Sequence, residues 1–479
     1  MRRASGGAAL VALVALWAAW VLAPGAALGA SPPLDVQALV DAAPAGSTVV
    51  IPAGTHLGPI TIDHPLRVVG APGAAIDGQS VGSVVTIAAP GVELAGLTIV
   101  NSGRNPVGAP SGVLIQRDAV GAHVHDIRVR DCYIGITVQR APDVVIERVD
   151  IEGTGIVTGE MHVAGEDGGG EVTAQLRGDG IWLYDAPRPV VLDNSLRTVR
   201  DGVYLAYGSG AVIEGNVIQD SRYAVHDMYS VDARIEGNTL RGNLSGMVLM
   251  YGGPLLIAGN TVTESGSPST GYAVLVKDAG DVTIRDNVIA DNRVGMLVDD
   301  AGRTGSEATM AVDNTIAINQ VGVLLVPSAD PTFTGNAFIE NTTQVALGGT
   351  GRTQAVWSVD GVGNHWSDYG GFDAEADGTG DLAYTRSGGT SRLIAEEPLL
   401  LAIASGPAFR LLTSVEDKWA LGDPIVQDDA PLVDAHIPSI RIDDRRPAVP
   451  LWVPGAVLML GSVALLAGGR RTKGVRVRA

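Results

Sequence analysis

His226, Met228 and Met250 are the side chains of this 479-residue chain whose types and spacing best suit binding chemistry. His226 and Met228 are two residues apart, so on a β-strand they point to one face. Met250 follows Met228 by 22 residues, inside a phrase that recurs three times: Val203-Tyr204-Leu205-Ala206-Tyr207, Val225-His226-Asp227-Met228-Tyr229 and Met247-Val248-Leu249-Met250-Tyr251. If these phrases stack, two thioethers and an imidazole converge on one surface patch. Thioether and imidazole donors together favour Cu(I) among biological metals. The three residues are therefore a candidate Cu(I) patch. The competing reading is that methionine simply fills hydrophobic surface. With the opposite strand register both methionines would be core.

Other chemistry is less well specified. His123 and His125 share a face by the same two-residue rule, and Met161-His162 lies in a Gly-rich stretch. Asp373, Glu375, Asp377 and Asp381 alternate like the start of a calcium loop, but Tyr384 stands where such a loop needs its bidentate Glu. A tight acidic turn is the better expectation. A glycosidase would need two carboxylates at a set separation in an open groove. Asp185, Asp201 and Asp227 are the candidates. Asp227 aligns with Leu205 and Leu249, so burial should raise its pKa and leave it without an evident partner. Walker loops, zincin helices and CxxC pairs are absent.

The elements that must position these residues are set by a repeat. Asn194, Asn216, Asn238, Asn260, Asn287, Asn314 and Asn336 recur at spacings of 22 or 27. An apolar residue stands three before and two after each of them, from Val191 and Leu196 to Phe333 and Phe338. A fixed period of this size marks a solenoid. Its segments are short, β-branched and alternating, with Gly and Asn between them. The fold class is thus all-β: a right-handed parallel β-helix with coils of about 22 residues. The extra residues of the longer coils should bulge out as loops. The asparagines should form a structural column, since Asn tolerates left-handed backbone and its amide can bond the Asn above. Leu97, Ile127 and Val149 hold the same column in earlier coils, and the 45-residue step from Val149 to Asn194 reads as one coil with an excursion over Gly153–Arg177.

The domain plan follows from these signals. Residues 1–30 read as a signal peptide, with Arg2 and Arg3 before an apolar run that ends in small residues; an uncleaved anchor is the alternative. Residues 31–350 form the β-helix, whose first part, 31–75, reads as a cap and first coil of short strands. Residues 351–395, bearing Trp357, Trp366 and Tyr369, should plug its C-terminal end. Residues 396–450 read as a linker with a short helix near Pro407–Leu421. Residues 451–469 carry no charge and as a helix would span about 28 Å, enough to cross a bilayer. The basic residues Arg470, Arg471, Lys473, Arg476 and Arg478 then place the tail, 470–479, in the cytoplasm. The body is expected outside the cytoplasmic membrane, anchored by its C-terminal helix. Without the 2 basic residues of the signal and the 5 of the tail, 26 of 33 Lys+Arg oppose 52 Asp+Glu, a balance of −26. That opposes binding to nucleic acid or to an anionic membrane surface, and a solvated acidic surface is the main expectation. The single cysteine, Cys132, excludes an internal disulfide.

Five phrases in order carry a family resemblance: Arg177-Gly178-Asp179-Gly180-Ile181-Trp182-Leu183; Asp201-Gly202-Val203-Tyr204; Arg222-Tyr223-Ala224-Val225-His226-Asp227-Met228-Tyr229-Ser230; Gly246-Met247-Val248-Leu249-Met250-Tyr251; and Gly363-Asn364-His365-Trp366-Ser367-Asp368-Tyr369. Over roughly residues 50–400 the chain resembles the NosD family of periplasmic β-helix proteins. The resemblance implies a non-enzymatic accessory protein for nitrous oxide reductase maturation. Its implied partners are an ABC transporter (ATPase and permease), a copper chaperone and the apo-reductase, whose copper–sulfide centre it helps assemble. Two positions depart from the family phrase, which usually has an aromatic at Asp227 and Tyr at His365. The rival class is a carbohydrate-binding or carbohydrate-cleaving surface protein, because lyases and hydrolases use the same fold.

Overall fold

The structure is a computed structural model that describes residues 34–153, 177–267, 270–299, 308–327, 329–349, 353–387 and 424–435, with residues 406, 411, 412 and 415. The signal peptide, Met161-His162, the membrane helix at 451–469 and the basic tail lie outside the described residues, as does most of the linker. No helix among the described residues is long and apolar enough to cross a membrane.

The chain is a parallel β-helix of three sheets, with 12, 13 and 12 strands, and each sheet takes every third strand of the sequence. The periodic letters become stacked neighbours. In the first sheet Val191, Ile213, Ile235, Ile257, Ile284, Ala311 and Phe333 pair in succession. In the second, Leu196, Ile218, Leu240, Val262, Ile289, Ile316 and Phe338 do the same. In the third, Val203, Val225, Met247, Val274, Met296, Val323 and Val345 close the core. All of these are buried. A single coil exposes its inner face above and below, so only stacking removes that apolar area from water.

The 45-residue step is one coil: Ile151 pairs with Leu196, and Ile136 with Ile181, so the chain leaves after Gly153 and returns at the same level. The extra residues of the 27-residue coils also fall between strands, one set between Thr263 and Val274, the other between Asp299 and Met310.

The asparagine column forms a continuous hydrogen-bonded ladder. From Asn194 to Asn336 each side-chain amide donates to the side-chain carbonyl oxygen of the next Asn, as does each backbone N–H, at 2.8–3.0 Å. Asn364 adds an eighth rung. The left-handed position is not the asparagine itself, as expected, but the residue before it: Asp193, Gly215, Gly237, Gly259, Asp286, Asp313 and Gly335 have φ of 52–69°. That frees each Asn to keep extended backbone and aim its amide along the axis. A second ladder lies five residues on, where Asn292, Asn319 and Asn341 bond in the same way.

Both ends are closed. At the N-terminal end the short strands of the first coil form at Thr48–Ile51, Gly54–Leu57, Ile60–Ile62 and Arg67–Gly70, and the cap ahead of them is a helix, Val36–Ala42, capped by Asp35 and burying Val36 and Val40. At the C-terminal end Phe338, Trp366 and Tyr384 stack at 4.3 Å intervals, with Trp357 on Phe333 at 4.6 Å. Within the segment read as a linker, Pro424–Asp428 forms a strand antiparallel to Tyr384–Ser387. Buried Asp428 accepts hydrogen bonds from the Asn364 amide (2.7 Å) and the Trp366 indole (2.9 Å). The first turn of the acidic phrase is self-contained: the Asp373 carboxylate accepts from Asp377 and Gly378 amides, and Asp381 from Ala374.

Candidate functional site

The outer face of the third sheet carries the candidate patch. Along Asp201–Ala206, Tyr223–Met228 and Ser245–Met250, the residues Val203, Leu205, Val225, Asp227, Met247 and Leu249 fill the interior. The alternate residues face out, because side chains alternate across a strand. Tyr204, His226 and Val248 are paired in one file, and Ala206, Met228 and Met250 in the next. Met228 and Met250 are therefore vertical neighbours at about one strand spacing, roughly 4.8 Å. The file continues to Lys277, whose ammonium is ion-paired with Asp299.

His226 is more enclosed than a surface ligand reading expects; it is 8 % exposed. Tyr204 stacks on one face at 4.6 Å, and Tyr223 meets the ring edge-on at 5.2 Å. Its Nδ1 lies 2.9 Å from Asp201 Oδ2. The Tyr204 hydroxyl reaches over and donates to the Met228 sulfur at 3.7 Å. Tyr204 thus touches both His226 and Met228 and draws the two files together.

A buried ionic ladder backs the patch. Arg200 clamps Asp179 with two hydrogen bonds, and Arg222 clamps Asp201 in the same way one coil on. Burial alone would raise the Asp201 pKa, but hydrogen bonds from His226 and Arg222 outweigh it and hold the carboxyl below its ordinary range. Asp179 keeps less help: burial and repulsion from Asp201 push it to about 6 despite Arg200. Asp227 behaves as its alignment with leucines predicts. It is fully buried, neither oxygen has a hydrogen-bond partner, and burial pushes it to about 6. The Ser230 hydroxyl and amide oppose that rise but lie outside hydrogen-bond geometry.

A feature that sequence reasoning missed borders the methionine file. Tyr207, Tyr229 and Tyr251 directly follow Ala206, Met228 and Met250, and their rings stack at 5.1 and 5.0 Å. All three have φ of 60–62°, which turns the chain and leaves the rings in one ladder. The 22-residue spacing of the tyrosines was the available signal.

The remaining candidates separate. His123 and His125 do lie together, ring centroids 4.3 Å apart, but His123 bonds Glu147 and His125 bonds Glu93 and Asp126 in a network with Arg67 and Arg148. Asp185 is exposed and paired with Arg140. Asp185, Asp201 and Asp227 therefore occupy surface, wall and interior, not one groove. Cys132 is buried, and burial pushes its thiol to about 11. Among the described residues no group of three or more His, Cys, Asp or Glu could hold a metal.

The fold and this face define a parallel β-helix protein with a thioether–imidazole patch on one sheet, and the repeat, the ordered phrases and the ladder are its signature. The chain belongs to the NosD family. The family model described as "Periplasmic copper-binding protein (NosD)" matches residues 164–371. A protein of Stutzerimonas stutzeri named "Probable ABC transporter binding protein NosD" is 38% identical over 412 residues, covering 83% of this chain and 89% of its own. A protein of the same name from Pseudomonas aeruginosa is 37% identical over 396 residues, covering 80% and 87%. Solved structures share the fold alone. The catalytic unit of a GH87 alpha-1,3-glucanase from Streptomyces thermodiastaticus is 17% identical, covers 68% of this chain and 66% of its own, and has a TM-score of 0.51. A GH87 alpha-1,3-glucanase catalytic domain in complex with nigerose is 14% identical, covering 64% and 63%, with a TM-score of 0.52.

Proposed function

We propose that this protein is an accessory factor for assembling the copper–sulfide centre of nitrous oxide reductase. It works on the periplasmic side, held to the cytoplasmic membrane by a helix at residues 451–469, and docks an ABC transporter. It takes Cu(I) from a copper chaperone onto His226, Met228 and Met250 and passes it to the apo-reductase. The observation that carries this reading is the pairing of Met228 with Met250 on the outer face beside an imidazole already oriented by a carboxylate. Two thioethers and one nitrogen suit Cu(I), and a site at a surface can release its cargo.

The test is a competition titration of Cu(I) against a chelator of known affinity. Replacing Met228 and Met250 together by Leu should weaken binding while the fold persists; an unchanged titration retires the patch. Deleting the gene should leave exported reductase without its catalytic cluster, and a fully metallated enzyme in that strain would refute the role.

The carbohydrate alternative meets a physical obstacle. Sugar rings pack on open aromatic faces, but Tyr229 is covered on both faces by Tyr207 and Tyr251, and Tyr204 is covered by His226 and Trp182. The candidate carboxylates, as placed above, do not pair across a groove.

A further inference from the structure

We infer that Asp201 is a positioning residue that fixes His226 as its Nδ1–H tautomer and so presents Nε2 as the nitrogen that meets Cu(I). The inference deepens the copper reading proposed above and rests on it.

The argument begins with what each group can donate. An ionised carboxylate only accepts, so the 2.9 Å contact between Asp201 Oδ2 and His226 Nδ1 requires the proton on Nδ1. A neutral imidazole then has its lone pair on Nε2. Among the described residues His226 makes no other hydrogen bond, so Nε2 has no protein partner there. The ring cannot readily turn away, because Tyr204 covers one face and Tyr223 abuts it edge-on.

Asp201 is itself held rigidly. Arg222 Nε donates to Oδ1 at 2.8 Å and a terminal nitrogen donates to Oδ2 at 2.6 Å. The guanidinium is fixed in turn over the Tyr223 ring, 4.3 Å from its centroid. Arg222, Asp201 and His226 thus form a relay of fixed geometry, the arrangement by which a carboxylate orients a metal-binding imidazole.

One coil earlier the same scaffold appears without the imidazole. Arg200 clamps Asp179 with bonds of 2.8 and 2.6 Å, and the residue corresponding to His226 is Tyr204. The Asp–Arg pair is therefore a repeated wall element. Only at Asp201 does it also receive a ring nitrogen. Asp179 serves as the internal control.

Nitrogen-15 NMR on the full-length protein, labelled at histidine, reads the tautomer directly, with His226→Gln assigning the signal. The wild type should show protonated Nδ1 and bare Nε2. Asp201→Leu keeps a branched side chain but leaves Nδ1 without an acceptor, so the Nε2–H form that a free imidazole favours should appear and the tautomer should invert. Cu(I) affinity should then fall by roughly 10- to 100-fold, the usual consequence of losing such a partner. Asp179→Asn should change neither reading. A wild-type signal with Nε2 protonated overturns the proposal without recourse to any variant, as does an Asp201→Leu tautomer that stays put. An inverted tautomer with undiminished Cu(I) binding removes His226 as a ligand. If the Met228/Met250 double variant alone loses copper, the thioether patch survives that result. If it too binds normally, the patch itself is wrong.

Discussion

Replacing Ser265 by Asn should stabilise the solenoid, because Ser265 interrupts the second asparagine ladder. Asn243 precedes it by one coil, and Asn292, Asn319 and Asn341 follow it. The backbone already suits the change. The residue before each position of this column is left-handed: Asp220, Gly242, Glu264, Asp291, Ile318 and Glu340 have φ of 48–63°. The Ser265 amide already donates to Asn292 at 2.8 Å, while its hydroxyl is buried without a partner. An Asn there gains two to three buried hydrogen bonds at about 1 kcal/mol each, less about 1 kcal/mol for ordering the side chain. The net expectation is a gain of about 1–2 kcal/mol. Stacked repeats can open locally, so the suitable assay is native-state hydrogen exchange at Asn243, Ser265 and Asn292 beside a thermal midpoint. Slower exchange at these amides with a raised midpoint is expected. A variant no more stable than the wild type, with unchanged exchange at Asn243, would refute the account of the ladders as additive stabilising columns.

Asn260→Leu should do the reverse, costing about 3 kcal/mol by stranding the Asn238 amide and the Ile235 carbonyl, and should be read by the same exchange measurement. Asp227→Leu should raise stability at neutral pH, since a folded-state value lifted from 3.8 to about 6 corresponds to about 3 kcal/mol. The sign is that of a raised acid: the penalty is absent below about pH 4, grows as the pH rises through about 6 and is complete above it, so the advantage of the leucine variant should be larger at pH 7.5 than at pH 5 in paired denaturation curves. Asp428→Ala should open the C-terminal plug by stranding the Asn364 amide and the Trp366 indole, seen as faster proteolysis at that end and a shift in tryptophan fluorescence.

Much of this architecture is legible in the letters because a solenoid turns sequence distance into vertical distance. The files through Val203, Val225 and Met247, and through Met228 and Met250, follow from a shift of 22 alone. What stayed hidden depends on contacts that no period announces. The helix at Val36–Ala42 occurs once, and its signal is only the Asp35 cap with Val36 and Val40 four apart. Asp428 lies 62 residues beyond Trp366, past the region where the repeat gives bearings. The enclosure of His226 arises from Tyr204 and Tyr223, whose ring orientations the spacing leaves open. The second ladder was readable in principle, but its serines at 221 and 265 mask the column.

The chain departs after Gly153 and re-enters by Arg177 at a single level of the rod. The count of residues between those two points has no lever on the axis: more or fewer of them leave every later residue at its own storey. Natural variation can therefore change the number of residues between Gly153 and Arg177 while the separation of Met228 from Met250 stays untouched. The solenoid decouples ornament from register, so a new appendage can be tried here without disturbing the patch.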